Sequence, residues 1–527
     1  MLMLLLLVFC GVISETVWAV HILLIPYTQG TNSRLMNMEK LADILIQDGH
    51  SVSLMINNRY DEENRPISKD VKIYKFKIPD DAWLVTDDAV VAKAHNTSFI
   101  EMASLVKHLT ISYCEALLKS GILHELKKIK FDLVLVDYVE ECARLSIDYL
   151  DIATVTYSNE GGLVNTYFGH LNHPAPWSFV TPFVVGFPDD MRFSERVQST
   201  LINSVIQYVY YTMLLDMDTL RIKYKVNASL STMNTLSRKT SLHFSNNHFV
   251  LDYPRPVMPN HVNIGGMYFQ PPNPLSGHID NIVKNASPGG VIIVSFGSIF
   301  NPTHGTLEYV TEQMASAFAG LTYTVIWKYP KNSKPPKSLG KNTHLVNWLP
   351  QNDLLGHPKT KLFITHCGVS STYETIYHAV PVITIPIAVD QFKHSTQLTK
   401  RLKMGIELRM DHREITNTSL VEAILSVLED PKYKENAKIA SRLIQKNINK
   451  PRDVFLFWIN YVIETNGAKH LVSKPLQDLS FFQYFMLDVL IFLAVILAVI
   501  VTIIFIIIRW IFRCVMCLFK NSKQKDD

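Results

Sequence analysis

Apolar residues along the chain fall into two series of alternating strands and helices. His21-Ile-Leu-Leu-Ile-Pro26 is a short continuous apolar run with the length and flanks of a buried parallel strand. A polar loop, Gln29 to Arg34, follows it. Leu35, Met38, Leu41 and Leu45 then recur at helical spacing until Gly49 stops the helix. Ser51 to Ile56 is the next strand, completing a βαβ unit. The pattern returns as a strand over Asp132 to Asp137, a helix over Glu141 to Leu150 and a strand over Ile152 to Tyr157. A second series has strands at Gly290 to Phe296, Thr324 to Lys328, His344 to Trp348, Leu362 to Thr365 and Val382 to Ile385, with a helix over Leu307 to Ala319. Between the series, residues 252–274 hold six prolines, the composition of an inter-domain linker. The expected fold is α/β, with two Rossmann-like, doubly wound domains facing a cleft. Ligands of such sheets bind at the carboxyl ends of the strands, in that crevice.

The two ends break the pattern. Residues 1–19 have an apolar stretch from Leu2 and a Val17-Trp18-Ala19 end, the form of a secretory signal peptide, though without Lys or Arg ahead of it. Val489 to Ile508 carries no charge; as a helix it is ~30 Å long, the thickness of a bilayer core. Arg509, Arg513, Lys520, Lys523 and Lys525 follow, which places that tail in the cytosol and the rest in the lumen, a single-pass type I arrangement. Lys523 and Lys525 near the carboxyl end resemble the dilysine retrieval signal of endoplasmic reticulum membrane proteins. The expected organisation is thus a signal peptide (1–19), an N-terminal acceptor-binding domain (20–250), a linker (251–284) and a donor-binding domain (285–450). A returning helix and pre-membrane segment (451–484), a transmembrane helix (485–508) and a cytosolic tail (509–527) complete it.

The net charge of +4 is spread over 527 residues, with no interleaved basic and aromatic array, so nucleic acid is not an expected partner. Cys114, Cys142 and Cys367 are odd in number and far apart, and predict neither a disulfide framework nor a metal site. Cys514 and Cys517 lie at the membrane border. Sequons at Asn96, Asn227, Asn285 and Asn417 fit a lumenal chain, although Asn417 could instead cap a helix.

Residues 348–391 carry the chemistry. Trp348 ends a strand with a flat face suited to stacking on a base. Gln351 and Glu374 can hold ribose hydroxyls. His366 lies in a strand-to-helix turn, Gly368 lets backbone approach a ligand, and the helix start after it favours a diphosphate. Ser298, after a strand and a glycine, is placed for similar work. Asp390 and Gln391 follow a buried strand and would hold sugar hydroxyls.

This stretch resembles the signature of the UDP-glycosyltransferase family, in particular its membrane-bound glucuronosyltransferase branch. Ser295-Phe-Gly-Ser298, Trp327-Lys328, the Asp252 to Asn260 segment and Lys450-Pro-Arg-Asp453 resemble the same branch, so the likeness covers nearly the whole chain. It implies transfer of glucuronic acid from UDP-glucuronate to small lipophilic acceptors, inverting and without a metal or other cofactor. Arg255 is the candidate partner for a hexuronate carboxylate. UDP-glucose remains open as donor, and homo- or hetero-oligomers as the assembly. The chain departs from the branch at Cys367-Gly368, where Gly-Gly is usual, and at Ser370, where Asn is usual.

The resemblance further implies a His base after the first strand, oriented by an Asp. Asp137, at the end of a buried strand, matches the Asp. The His position falls on Arg34, which stays protonated and cannot act as a base. A guanidinium there could pair with Asp137. Three readings stay open: acceptors that need no base, another base such as Asp137, or a homologue that binds a UDP-sugar without turnover.

Overall fold

A computed structural model describes residues 19–29, 32–60, 67–79, 99–159, 173–227, 231–232, 235–267, 269–297, 306–410, 414–446, 450–473, 475–476 and 479–523. The signal segment up to residue 18, Asn96, Ser298 and Lys525 lie outside the described residues. Two compact units are present, residues 1–472 and 473–527.

The first unit holds both expected sheets. The first sheet has seven strands: β1 (His21–Ile25), β2 (Ser51–Asn57), β3 (Val71–Phe76), β4 (Leu133–Asp137), β5 (Thr154–Ser158), β6 (Thr240–Ser245) and β7 (His261–Asn263). All pair in parallel, in the order β3-β2-β1-β4-β5-β6-β7. The second sheet has β8 (Val291–Ser295), β9 (Thr324–Lys328), β10 (Thr343–Val346), β11 (Thr360–Thr365), β12 (Val382–Thr384) and β13 (Gly405–Glu407), parallel and ordered β10-β9-β8-β11-β12-β13. Both faces of each sheet are covered, which is why β1, β4 and β8 read as unbroken apolar runs rather than alternating ones. The order reverses between β1 and β4 and again between β8 and β11, and these two switch points are where ligands gather in such folds.

Residues 251–284 are more than a linker. His261–Asn263 adds the edge strand β7 to the first sheet, and Gly277–Lys284 is a helix. The six prolines all fall outside these elements, because a residue without an N–H cannot serve a ladder or a helix interior. The helix Pro451–Glu464 returns to the first sheet. Its Phe455, Ile459 and Val462 join the core of Leu24, Leu41 and Leu45, with Phe455 4.9 Å from the Phe244 ring. A fully buried side chain of that kind contributes about 1.5–3 kcal/mol.

Cys114 and Cys142 form a disulfide, with Cα atoms 5.1 Å apart, which corrects the expectation of no disulfide. The helix Phe99–Lys119 packs back toward the start of the helix Ala143–Leu150, so residues 28 apart in sequence meet. Cys367 is buried with a free thiol. The second unit holds the short helix Phe481–Tyr484 and the long helix Leu487–Lys523, whose stretch Leu487–Met516 is long and apolar enough to cross a membrane. It continues past Ile508, since Arg509 and Arg513 are themselves good helix formers.

Candidate active site

The loops leaving β1 and β4 meet at the first switch point. Asp137 closes β4, and Arg34 stands in the first turn of the helix Asn32–Gln47 that follows β1. Arg34 Nη1 donates to Asp137 Oδ1 at 2.6 Å, with side-chain exposures of 9% and 0%. The Val139 N–H donates to the same oxygen at 3.1 Å, while Oδ2 is buried without a hydrogen-bond partner among the described residues. The guanidinium also lies 5.5 Å from the Tyr27 ring. Asn57 Nδ2 anchors the loop by donating to Thr28 O at 3.0 Å, and Thr28 Oγ1 bonds Tyr113 Oη at 2.8 Å.

Glu140 lies beside this pair. The Cys142 N–H donates to its Oε1 at 3.3 Å, and the Thr28 backbone N–H also acts on the carboxylate. Burial, and then repulsion from Asp137, push its carboxyl up to about 8. Sequence reasoning missed Glu140, although the signal was present: Asp137, Glu140 and Glu141 put three carboxylates within five residues of a buried strand end.

The second switch point, between β8 and β11, seats His366. Its ring is buried, and a Cβ at Gly297 or Gly368 would come within 2.8 or 2.9 Å of its Nε2. Bare backbone at both positions is therefore what admits the ring, and Gly297 also has a φ of +73°. Burial lowers the His366 pKa to about 4, so at neutral pH it is a neutral N–H donor. The Ser295 backbone partly opposes this by accepting from the ring. Cys367 next to it has a φ of +67°, a left-handed conformation that costs a residue with a Cβ about 1–2 kcal/mol. A glycine there would carry no such cost, which gives the Gly-Gly of the branch its physical reason.

The helix Val369–Tyr377 starts directly after Gly368 and carries Ser370 in its first turn, half-buried. One turn further on, Gln351 Nε2 donates to Glu374 Oε2 at 2.6 Å and to Ser371 Oγ at 2.9 Å. Burial raises the Glu374 pKa, and the Gln351 bond opposes this. Trp348 stands three residues ahead of Gln351 and is 69% exposed, with Lys328 Nζ 5.4 Å from its ring. Trp348 is thus a wide flat surface open to a partner. Asp390 precedes the helix Gln391–Thr396, and His394 Nδ1 lies 3.7 Å from Asp390 Oδ2 and 3.1 Å from Cys367 O. Gln391 Oε1 accepts from the Ile387 and Ala388 N–H groups at 2.8 and 3.1 Å. Its carbonyl oxygen therefore holds its own turn.

Arg255 lies between β6 and β7 with Asp252 and Tyr138 nearby and among His173, His243 and His261. Its Nη2 is buried, and burial lowers its pKa to about 10. Of the sequons, Asn227 and Asn285 are exposed. Asn417 is half-buried and donates through Nδ2 to Ser316 Oγ at 2.7 Å. The cap of the helix Asn417–Glu429 is Thr416, whose side chain accepts from Ser419 N; Asn417 is the first helical residue. Among the described residues, no group of three or more His, Cys, Asp or Glu is arranged to hold a metal ion.

Two parallel, doubly wound sheets within one unit are the fold of a glycosyltransferase of the GT-B type. Solved structures share this fold. A UDP-glucosyltransferase from Polygonum tinctorium has a TM-score of 0.58 at 16% identity, over 85% of this chain and 99% of its own. The calicheamicin glycosyltransferase CalG4 has a TM-score of 0.55 at 16% identity, over 84% of this chain and 98% of its own. Residues 21–525 match the family described as UDP-glucoronosyl and UDP-glucosyl transferase. Human UDP-glucuronosyltransferase 2A2 is 30% identical over 93% of this chain and 91% of its own length. Human 2-hydroxyacylsphingosine 1-beta-galactosyltransferase is 29% identical over 93% of this chain and 88% of its own. The chain belongs to the UDP-glucuronosyl and UDP-glucosyl transferase family.

Proposed function

We propose that this glycosyltransferase moves glucuronic acid from UDP-glucuronate to small lipophilic acceptors, at the lumenal face of the endoplasmic reticulum membrane. The observation that carries the reading is the donor half: exposed Trp348, the Gln351–Glu374 bond at 2.6 Å, and His366 seated between two glycines. Uracil stacks on Trp348 and the ribose hydroxyls bond Glu374 and Gln351. The diphosphate takes the His366 N–H, Ser298, Ser370 and the helix start after Gly368. Asp390 and the Gln391 amide hold sugar hydroxyls, and Arg255 takes the hexuronate carboxylate.

The acceptor oxygen or nitrogen attacks the anomeric carbon from the face opposite UDP. The bond from that carbon to the phosphate oxygen breaks, and its electron pair leaves with UDP, so the carbon inverts. No metal or further cofactor takes part in this proposal. The acceptor's proton must go to a base, and Arg34 cannot receive it. Amines and readily ionised phenols therefore suit this site better than simple alcohols.

The Arg34–Asp137 bridge also favours a second reading, a UDP-sugar-binding homologue with impaired turnover, since it ties up the one carboxylate the family would use to orient a base. A microsomal assay with UDP-glucuronate and with UDP-glucose, each offered to a phenol and an amine, separates the readings. Glucuronide product supports the first. Glucoside alone makes UDP-glucose the donor. Donor binding without product supports the second. The apolar C-terminal helix would tether the chain to a membrane, where lipophilic acceptors concentrate. Asn96 and Asn227 are the sequons best suited to carry glycans. Asn285 is a weaker acceptor, since Pro288 directly follows its sequon and its Nδ2 donates to Asn281 O at 3.0 Å, and Asn417 is half-buried with its Nδ2 bonded to Ser316 Oγ.

A further inference from the structure

Residues 173–190, between β5 and the helix Phe193–Lys223, form a strap of irregular backbone that carries Pro174, Pro176, Pro182 and Pro188. Its first part is anchored in the half built on the first sheet. Val180 is buried, Phe183 packs on the core of that sheet, and the Met258 N–H donates to His173 Nδ1 at 3.0 Å. Two turns stiffen it: the Val180 N–H donates to Pro176 O at 2.9 Å, and the Val185 N–H to Pro182 O at 3.3 Å. The prolines also narrow the conformations open to the strap if it were released.

Just past these turns the strap meets the other half. A Cβ on Gly186 would lie 2.6 Å from Thr396 Oγ1, 3.1 Å from Phe392 O and 3.7 Å from Arg409 Nη1. Phe392 and Thr396 belong to the helix Gln391–Thr396, and Arg409 follows β13. The φ of Gly186 lies outside the left-handed region, so no special turn calls for a glycine here. Space does: no side chain fits between the strap and the helix. Beneath the strap Thr396 is buried, and its Oγ1 has no hydrogen-bond partner among the described residues. The strap therefore lies directly on the helix and covers that hydroxyl.

Charge follows the same seam. Asp189 and Asp190 continue the strap; burial and then Asp189 push the Tyr253 hydroxyl up to about 12, with Arg401 opposing. Arg401 lies 5.1 Å from the Tyr253 ring and donates to Val250 O and Phe249 O at 3.1 Å each. Lys393 and Gln397, one position after Phe392 and Thr396, reach Asp252 at 2.9 and 2.8 Å. The run from Gln391 to Arg401 is thus held along two adjacent faces, by Asp252 on one and by the strap on the other. Asp390 and Gln391 open that run. Its position decides how far a sugar held there sits from Arg34 and Asp137.

We propose that residues 173–190 clamp the sugar-binding helix to the half built on the first sheet, and that Gly186 is the positioning residue that sets its distance. This rests on the donor reading above, in which Asp390 and Gln391 hold the sugar. Gly186 touches no substrate and acts through the helix. A side chain there pushes strap and helix apart. The sugar hydroxyls then lose their partners, while uracil, ribose and diphosphate keep theirs at Trp348, Glu374 and His366. A shift of about 1 Å is enough, because hydrogen bonds weaken steeply beyond their normal reach.

The test is equilibrium binding of UDP, UDP-glucuronate and UDP-glucose to the full-length chain in detergent. The quantity read is the affinity for the tighter-binding UDP-sugar divided by that for UDP. Gly186→Ala should lower this ratio about tenfold, the loss of one or two sugar hydrogen bonds, with UDP affinity unchanged. Thr396→Ala removes the atom that the new Cβ meets, so Gly186→Ala combined with Thr396→Ala should regain most of the ratio. Gly186→Ala combined with Thr396→Val, which refills the space, should not. An unchanged ratio in both Gly186→Ala and the larger Gly186→Val would overturn the proposal. So would a UDP affinity that falls in step with the sugar's, the mark of a merely structural role, or a rescue by Thr396→Val equal to that by Thr396→Ala. If UDP itself fails to bind the native chain, the donor-site reading falls and takes the clamp with it, a result distinct from the others.

Discussion

Replacing Arg34 by His tests the reading of the acceptor side. In the native chain Arg34 Nη1 and Asp137 Oδ1 are 2.6 Å apart and buried. Two unit charges about 4 Å apart attract by about 4 kcal/mol at an effective dielectric near 20, which is the grip that keeps Asp137 occupied. An imidazole at position 34 removes the permanent cation and supplies a proton acceptor. Asp137 then faces a ring whose protonated form it stabilises. Well-placed general bases contribute roughly 10²–10⁴-fold, equal to about 3–5 kcal/mol of barrier. Arg34→His should therefore raise kcat/KM on simple alcohols and phenols by at least tenfold, with less gain on amines. A new pH dependence should accompany it, with the rate rising as the imidazole loses its proton near pH 7. Arg34→Ala is the control: it leaves Asp137 unpaired, should cost about 3–5 kcal/mol of stability, and should not gain activity. Full-length variants, product detected by mass and UDP affinity measured in parallel are required. A variant that binds UDP normally yet shows an unchanged or lower rate on alcohols would refute the placing of Arg34 at the base position.

Glu374→Gln should weaken UDP binding about 10–100-fold by calorimetry, because ribose hydroxyls lose a charged acceptor worth roughly 1.5–3 kcal/mol; unchanged affinity would remove Glu374 from the nucleotide site. Cys142→Ser opens the link to Cys114 and should cost about 2–4 kcal/mol, seen as a lower thermal midpoint without loss of UDP affinity once folded. Burial depresses His173, His243, His261 and His366 in the folded chain, so the unfolded chain takes up these protons first. Their contribution to stability is complete above pH 6.5 and is lost as pH falls toward about 4, by up to about 1.4 kcal/mol per group per pH unit. Glu140 acts oppositely: its value is raised from 4.5 to about 8, so the stability it adds is present below 4.5 and lost as pH rises through 8. The thermal midpoint should drop between pH 6.5 and 5; a rise over that interval would contradict the burial of these rings.

The two sheets were legible because strands covered on both faces must be apolar throughout, and His21 to Pro26 and Gly290 to Phe296 are. The donor residues were legible for a related reason: polar groups such as His366 and Glu374 stand out at the ends of apolar strands or inside helices. β7 was hidden because prolines flank a strand of three residues and make its surroundings read as linker. The Cys114–Cys142 bond was hidden because it depends on how two helices approach, which no local pattern reports. Glu140 and the three histidines were passed over because a single polar residue in a strand or loop looks like a solvent-facing one. Only their burial distinguishes them.

The helix Pro451–Glu464 has a consequence for how the chain is made. Phe455 and Ile459 complete the core of the first sheet, yet they are synthesised about 190 residues after β7, the last strand of that sheet. At roughly 5–20 residues per second, that face waits about 10–40 seconds with Leu24, Leu41 and Phe244 uncovered. The first domain cannot be finished before the second is made. Its greasy face is thus exposed to chaperones and to lipid for about a third of translation, and a chain cut short before residue 451 would leave the ribosome with a sticky, half-covered sheet rather than a free-standing domain.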